Sequence, residues 1–591
     1  MLNGSLLNSG PLNSLPGGGA VEPEYVVRGQ SFVWALRLLV GGEDVTAQLT
    51  GTVTVDREEG AAGIAGFDLF IAPGTPVVPT DWIGRTVTLD YISTSAGETT
   101  EVRRFAGQIS SPVWNPIIRL LSCECSDQLQ YRTEAMSISA IDALVGGLWS
   151  PDLYEPTAGR SHWDYALERM STRTASLDCS PTGALRVTSW YAAAPHYVYG
   201  PGTTLYQSVD VELPDLGSIT NRVEIEVSYR YPRLHELKST YTWSHPHAQG
   251  AVGGFCGWRT WSTELPDTAM VESAITGAGM ALVGQVGGFK LPLSMADPCG
   301  DGNPWINTVD GLWLNVVVSG ARRWTQAVTE SYKLTLSTEE GEAEATQRIS
   351  RDSASFEIES DRADDWANSL AREASQQTGI GDWSDTPGAL PPLEPGDLSD
   401  EARRAAAIQC LLERGRAEIL AAHRGATVSW QVPASLALGI DLTHTLSLDD
   451  QGVRAVGKCR RIVDSFNLAS GEAVTTLSIA VMRGGGSSDQ LTVPAAPDTS
   501  LPELPGGGGS LPTQLGGRQI DPYTGVAIGP FDEERMGFAG NYSVNDNEPA
   551  EHYPRRFDLQ ARDIPAEYRD ERTASAEAAY RVGIPNDLLE L

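Results

Sequence analysis

Four groups of residues in this chain carry side chains able to do chemistry. His245-Pro246-His247 stands upstream of Cys256 and Cys299, a mixed set of nitrogen and sulfur donors. Zinc sites space such donors regularly; here a proline separates the histidines and the cysteines follow at irregular distances, so the set reads as loop histidines. Cys123-Glu124-Cys125 sits in the apolar run IIRLLSCEC. In a strand both thiols point to one side, as two core residues do. Glu58-Glu59 and Asp364-Asp365 are paired acids of the kind glycosidases use. General acid and base are set by spatial separation, and with 76 acidic residues adjacent pairs arise by chance. No P-loop, GxSxG, HExxH or GxGxxG element is present. The expectation is therefore no catalytic residue, no bound metal, no cofactor and no enzyme.

The elements around these residues are mostly strands. Val53 and Val55 alternate with Thr52, Thr54 and Asp56, and Val87, Leu89 and Tyr91 alternate with Thr86, Thr88 and Asp90. Period two places one face in a core, so residues 23–135 read as a β-barrel punctuated by turns at Gly41-Gly42 and Pro73-Gly74. Residues 136–212 read as a small α+β domain. Trp163, Leu167 and Met170 mark a helix capped by Ser161, and LDCSPTGALRVTSW is a hairpin turning at Ser180–Gly183. Residues 213–395 return to β. Val223, Ile225, Val227, Tyr229 and Tyr231 share one face, and Glu224 and Glu226 share the other. A Gly- and Trp-rich insertion, with Trp258, Trp261, Trp305 and Trp313, occupies about 244–325.

Residues 396–482 read as a helix followed by hairpins. The helix runs from Ser399 to about Arg424, with Ser399 as cap, Gly425 as a left-handed stop and Ile408, Leu412 and Ile419 as its buried stripe. DDQG and ASG mark the hairpin turns. Residues 483–517 form a Gly/Pro linker, expected to be a flexible coil. Residues 518–591 read as an extended arm with a short helix near Ala574–Arg581.

The first 22 residues are a second arm. Leu2-Asn3, Leu7-Asn8 and Leu12-Asn13 repeat every five residues, a period that fits neither helix nor strand. Burying three leucines gains roughly 5–9 kcal/mol, and ordering some thirteen residues costs on the order of 13–26 kcal/mol. The segment is therefore expected to order only against a partner.

Composition narrows the functional classes. The chain has 591 residues, enough for about three to five domains, and a net charge of −33. A basic face is the usual footprint of a nucleic-acid binder, and the balance here is opposite. Lysine occurs only at 238, 290, 333 and 458. Seven scattered cysteines make no disulfide framework. No basic-then-apolar leader and no apolar run of membrane-spanning length are visible, so synthesis in a cytoplasm is expected.

Three segments together resemble a known family. They are RRFAGQISSPVWNPIIRLLSCECSDQLQYR, read as a strand, an F-x-G-x-I turn and a second strand; HWDYALERMSTRTASLDCSPTGALRVTSW; and ILAAHRGATVSWQVP with GKCRRIVDSFNLASGEAVTTLSIAVMR. In this order, over roughly residues 24–482, they resemble hub proteins at the baseplate or tail tip of tailed bacteriophages and related gene transfer particles. The resemblance implies a homotrimer in the virion that closes the tail tube with two related β-barrel domains, at about 24–135 and in the β segments of 213–395. It implies a distal tail protein, other tail-tip proteins, tail fibres or a central spike as partners, a role in host attachment, and genomic DNA passing without specific binding. Acids such as Glu224 and Glu226 would then flank the channel. Some tail-tip proteins hold an iron–sulfur cluster in a Cys-rich C-terminal region; no cysteine follows Cys459, so none is expected here. The competing reading is a glycan-binding receptor protein using the Trp-rich insertion.

Overall fold

The computed structural model describes residues 24–26, 33–95, 98–215, 217, 219–246, 265–296, 302, 304–306, 310–339, 348–357, 366, 394–521, 524, 526–540 and 555–591. The fold is mainly β and multidomain. Among the described residues no helix is long and apolar enough to cross a membrane.

The alternating strands fold as their pattern dictates. Leu49–Glu58, Ile64–Phe70, Thr86–Ser95, Glu98–Asn115 and Leu120–Ser126 pair antiparallel. They bury Val53, Val55, Val87, Leu89 and Tyr91 in a first β-core, together with Cys123 and Cys125. The F-x-G-x-I stretch is not a turn. Phe105–Ile109 lies inside the strand Glu98–Asn115, and the reversal comes at Asn115, whose side chain accepts from the Ile117 N–H at 3.1 Å. Gly107 is required for another reason: a Cβ there would stand 2.4 Å from the Ser126 carbonyl oxygen of the neighbouring strand.

The sheet of the first core runs on into a second β-core made of segments outside 213–395. It is built from Tyr197–Tyr199, Asp210–Glu212, Ala426–Pro433, Thr445–Asp450, Val453–Asn467 and Glu472–Val481, around Trp430, Leu446, Ile462 and Leu477. Its strands continue the sheet of the first core. The strand Val453–Asn467 makes the join: its first half pairs with Thr445–Asp450 and its second half with Thr52–Glu58. We refer to it as the crossing strand. The hairpins of this region turn where expected, with Gly452 at φ 85° and Gly471 at φ 76°.

Residues 213–395 instead supply a sheet centred on one long hairpin, Thr220–Ser244 against Trp313–Ser337, paired over 23 consecutive positions from Arg222–Ser337 to Ser244–Asn315. Val223, Ile225, Val227, Tyr229 and Tyr231 are buried on one face, as the alternation requires. The long helix Glu401–Ala422 packs on that face through Ile408, Leu412 and Ile419. Gly415 lets the helix approach closely, with Val223, Ile225 and Leu336 methyls within 3.3–3.5 Å of where its Cβ would stand. Asp400, not Ser399, caps this helix, accepting from the Arg403 N–H at 2.9 Å. Gly425 is not a left-handed stop. Its position leaves no room for a side chain, since a Cβ would lie 2.7 Å from Pro214 Cβ.

The C-terminal stretches fold back on the chain itself. Gly507–Ser510 is a strand parallel to Ser239–Thr242. At Gly508, φ is +113° and a Cβ would sit 2.0 Å from the Thr240 carbonyl oxygen, so the glycines serve close backbone approach. Upstream, Leu491 and Thr499 are buried, and Arg233 donates to the Thr499 carbonyl at 2.7 Å. Trp243 donates to Thr513 Oγ1 at 2.6 Å and stacks edge-on with Phe538 at 5.1 Å. The expected helix near Ala574–Arg581 is a strand, Arg572–Arg581, parallel to Val328–Ser337. Alanine favours helix in isolation, but here the sheet edge satisfies the backbone and Tyr580 enters the core. Leu589–Glu590 pairs with Arg454–Ala455 of the crossing strand.

Candidate functional site

The described side chains do not converge on a reactive cleft. They converge on a buried charge joint where the two β-cores and the small α+β unit meet.

Arg104 and Asp464 form its centre. In the pairing of Thr86–Ser95 with Glu98–Asn115 the register shifts between Leu89–Phe105 and Asp90–Arg103, leaving Arg104 as the extra residue of a β-bulge. A bulge re-aims a side chain, and so both Arg104 and Phe105 are buried. On the crossing strand Ile462, Asp464 and Phe466 share the core face, and the middle one is an acid. Arg104 Nε and Nη2 each donate to Asp464 at 2.8 Å, a bidentate pair that is 2% and 0% exposed. Arg104 Nη1 donates to the Ala437 and Leu438 carbonyls, and Thr475 donates its hydroxyl to Asp464 at 2.6 Å. Burial disfavours the carboxylate, but the charge and hydrogen bonds of Arg104 outweigh it and hold Asp464 below the usual carboxylate range.

Asp441 ties in the small unit. Arg57 donates to it at 3.0 Å, Arg186 forks onto both its oxygens, and its Oδ1 also accepts from the Leu442 N–H at 2.9 Å. Burial opposes this charge too; Arg186 and Arg57 overcome it and bring the carboxyl down to about 2. Arg186 also holds Asp178 of the hairpin Ala175–Cys179 and Leu185–Ser189, at 2.7 Å. Beyond the long helix, Arg424 pairs with Glu59 at 2.7 Å and lies 5.1 Å from the Trp190 ring centre. Arg104–Asp464, Arg57–Asp441, Arg186–Asp441 and Arg424–Glu59 each join residues more than 250 positions apart, so the joint works as a set of clamps.

The residues singled out from sequence fare differently. Glu59 and Glu58 are charge partners of Arg424, Arg460 and Arg461, not a catalytic dyad. Asp364-Asp365, His247, Cys256, Cys299, Trp258 and Trp261 lie outside the described residues, as do Leu2, Asn3, Leu7, Asn8, Leu12 and Asn13. His245 is buried beside Trp243. Glu224 is half-buried and pairs with Arg222 and Arg351 at 3.0 Å each; Glu226 is exposed opposite Lys333. Trp313 is buried with Lys290 over its ring at 4.7 Å. Ser161 caps the helix His162–Met170, but Leu167 is exposed, and with Trp163 and Met170 it borders an apolar cleft of about 360 Å³ against the long helix. Among the described residues no group of three or more metal-ligating side chains assembles. The five described cysteines are buried, and burial pushes the Cys123, Cys179 and Cys459 thiols up to about 12 and Cys410 to about 11. Burial keeps these thiols protonated at neutral pH, and they pack as small apolar groups.

The joint itself left one trace in the sequence: a charge at core parity. Arg57 follows Val53 and Val55 at period two, and Asp464 sits between Ile462 and Phe466.

No family model and no curated protein matches the chain. Among solved structures it is similar to phage tail proteins. A tail protein from Neisseria meningitidis MC58 aligns over 76% of this chain and 96% of its own, at 10% identity and a TM-score of 0.33. The 43 kDa tail protein of prophage MuSo2 from Shewanella oneidensis aligns over 76% and 98%, at 11% identity and a TM-score of 0.36. The prophage tail protein gp18 from Listeria monocytogenes EGD-e aligns over 75% and 94%, at 6% identity and a TM-score of 0.31.

Proposed function

We propose that the chain is a structural hub protein of a bacteriophage tail tip or baseplate. In this reading it is a homotrimer that closes the tail tube, connects a distal tail protein to fibres or a spike, and forms part of the path for ejected DNA. The observation that supports it is the crossing strand. Two β-cores share one sheet and are clamped by buried Arg–carboxylate pairs, which makes a stiff frame suited to holding a ring of neighbours. The resemblance of the three sequence segments gives that frame its setting. The acidic balance suits a path that must not bind phosphate, and Glu226 is the exposed candidate for a channel face. No catalysis is assigned. The glycan-binding alternative would need exposed aromatic rings; in the insertion Trp313 is buried and Phe289 is exposed.

The test is an antibody against residues 33–126, imaged on virions by negative stain, with the mass of the purified chain measured by light scattering. Label at the tail tip and a trimeric mass support the hub. Label along the tube or on the head, or a chain that retains sugar and stays monomeric, would overturn it.

A further inference from the structure

The sheet of the long hairpin has a bare edge on each side. Arg572–Arg581 lies parallel to Val328–Ser337, and Arg348–Glu357 lies parallel to the stretch from Thr220 to Arg230. Each edge strand has ten residues, and among the described residues no strand pairs with the far side of either. Proteins commonly blunt such edges with lysine, proline or a cover; RISRDSASFE and RTASAEAAYR contain neither lysine nor proline. Arg581 marks which backbone groups point outward. Its N–H donates to Asp489 Oδ2 at 2.8 Å and its carbonyl accepts from the Asp489 N–H at 3.0 Å, whereas the next N–H, of Val582, turns back to the Ser337 carbonyl at 2.9 Å. Backbone groups alternate along a strand in this way, so those of Ser575, Glu577 and Ala579 also point outward.

The two edges match in direction, face and charge. Val328–Ser337 runs antiparallel to Thr220–Ser244, so the edge strands beside them run opposite ways. Copies standing side by side in one orientation therefore bring Arg348–Glu357 of one against Arg572–Arg581 of the next as an antiparallel pair, the more stable kind. On both strands the odd-numbered residues are exposed, and Ala354, Phe356, Ala576, Ala578 and Tyr580 turn to the core. Keeping core beside core admits only alternate registers. In one of these Glu577 falls opposite Arg351, whose side chain is 78% exposed beyond its contact with Glu224, and Ser575 falls opposite Ser353. We propose that copies of this chain join head to tail through these two edges, in that register, as one continued sheet that closes into a ring; the number of copies, three, rests on the hub reading.

The ring has a defined lining. The long helix covers the core face of the sheet, which leaves the opposite face to surround the axis. Glu577, Lys333, Glu226 and Ser353 form one row across that face. The row is charged and hydroxylic throughout, and the pairing carries it across each seam.

The test is light scattering on the full chain and its variants. The native protein should have three times the mass of one chain. Ser575→Pro removes an outward N–H and no bond of the chain's own sheet, as proline does on an edge strand, and should lower the mass threefold; Ser575→Ala should leave it unchanged. Oxidised Ser353→Cys/Ser575→Cys should run as a covalent species of three chains in a denaturing gel, and neither single variant should. Within one chain these positions stand three strand spacings apart, roughly 14 Å, beyond the reach of a disulfide, so the bond must join copies. A trimer that Ser575→Pro leaves intact and the cysteine pair does not link overturns the edge pairing and leaves a hub built through another surface. A linked ring of another number keeps the pairing and overturns the trimeric hub. A monomeric native chain overturns the pairing outright. If Ser575→Pro fails to fold, the cysteine pair, placed at two exposed positions, decides.

Discussion

Asp464→Ala should be among the most damaging single substitutions in the chain. It leaves Arg104 charged and 2% exposed, with its Nε and Nη2 donors stripped of partners and only the Ala437 and Leu438 carbonyls remaining. Removing one member of a buried ion pair costs about 3–5 kcal/mol. For a unit of about 150 residues, at roughly 2–4 °C per kcal/mol, its melting transition should fall by about 6–20 °C. Arg104→Met with Asp464→Leu replaces both charges by apolar groups of similar size, and the double variant should recover to within about 1 kcal/mol of the native chain. Differential scanning calorimetry of the native protein, both single variants and the double variant closes the cycle. A loss below about 1 kcal/mol for Asp464→Ala, or a double variant as unstable as the sum of its singles, would refute the claim that this pair clamps the two β-cores.

Acid should loosen the same joint in a defined window. The Asp441 carboxyl lies at about 2 in the folded chain against 3.8 when free, so about 2–3 kcal/mol of stability, complete above pH ~4, should disappear as pH falls toward 2; a flat urea midpoint across that window would contradict it. Truncation after residue 506 should give insoluble chain, because it removes Leu515, Phe538, Phe557, Tyr580 and Val582, each worth roughly 1.5–3 kcal/mol of burial, and uncovers Trp243, Val316, Tyr332 and Leu336 of the cores they close; a soluble, cooperatively melting fragment would show that these strands are an independent arm. Cys123, Cys125, Cys179, Cys410 and Cys459 should resist alkylation at pH 8 in the native protein and react in guanidinium; native modification mapped to any of them by mass spectrometry would contradict their burial.

Local pattern was enough for several local features, though it misplaced the cap at Ser399, the stop at Gly425 and the turn at Phe105–Ile109. Period-two runs such as Val223 to Tyr231 name their buried face, because a strand has only two. Turns at Ser180–Gly183 and at Gly452 follow from backbone angles that few residues tolerate. Ile408, Leu412 and Ile419 fall on the buried side of the long helix, since residues three, four and seven apart share a face. The same reasoning failed where the deciding contact came from afar. The run Arg572–Arg581 looks helical until Val328–Ser337 offers its edge. The glycines around 508 look like a flexible linker until the Thr240 carbonyl occupies the space of a side chain. The second β-core draws on segments from 197 to 481, interrupted by the long hairpin, and no spacing rule spans such a gap.

The charge joint shows the division most clearly. The sequence alone determined that Asp464 stands at core parity and that Arg57 ends an apolar alternation. It could not determine that either would be tolerated there, because a buried charge is stable only against a partner. Arg104 meets Asp464 across 360 positions of sequence, aimed inward by a one-residue bulge. Only the tertiary structure supplies that meeting, since pairing in space depends on how strands register and cross, and not on the residues between them.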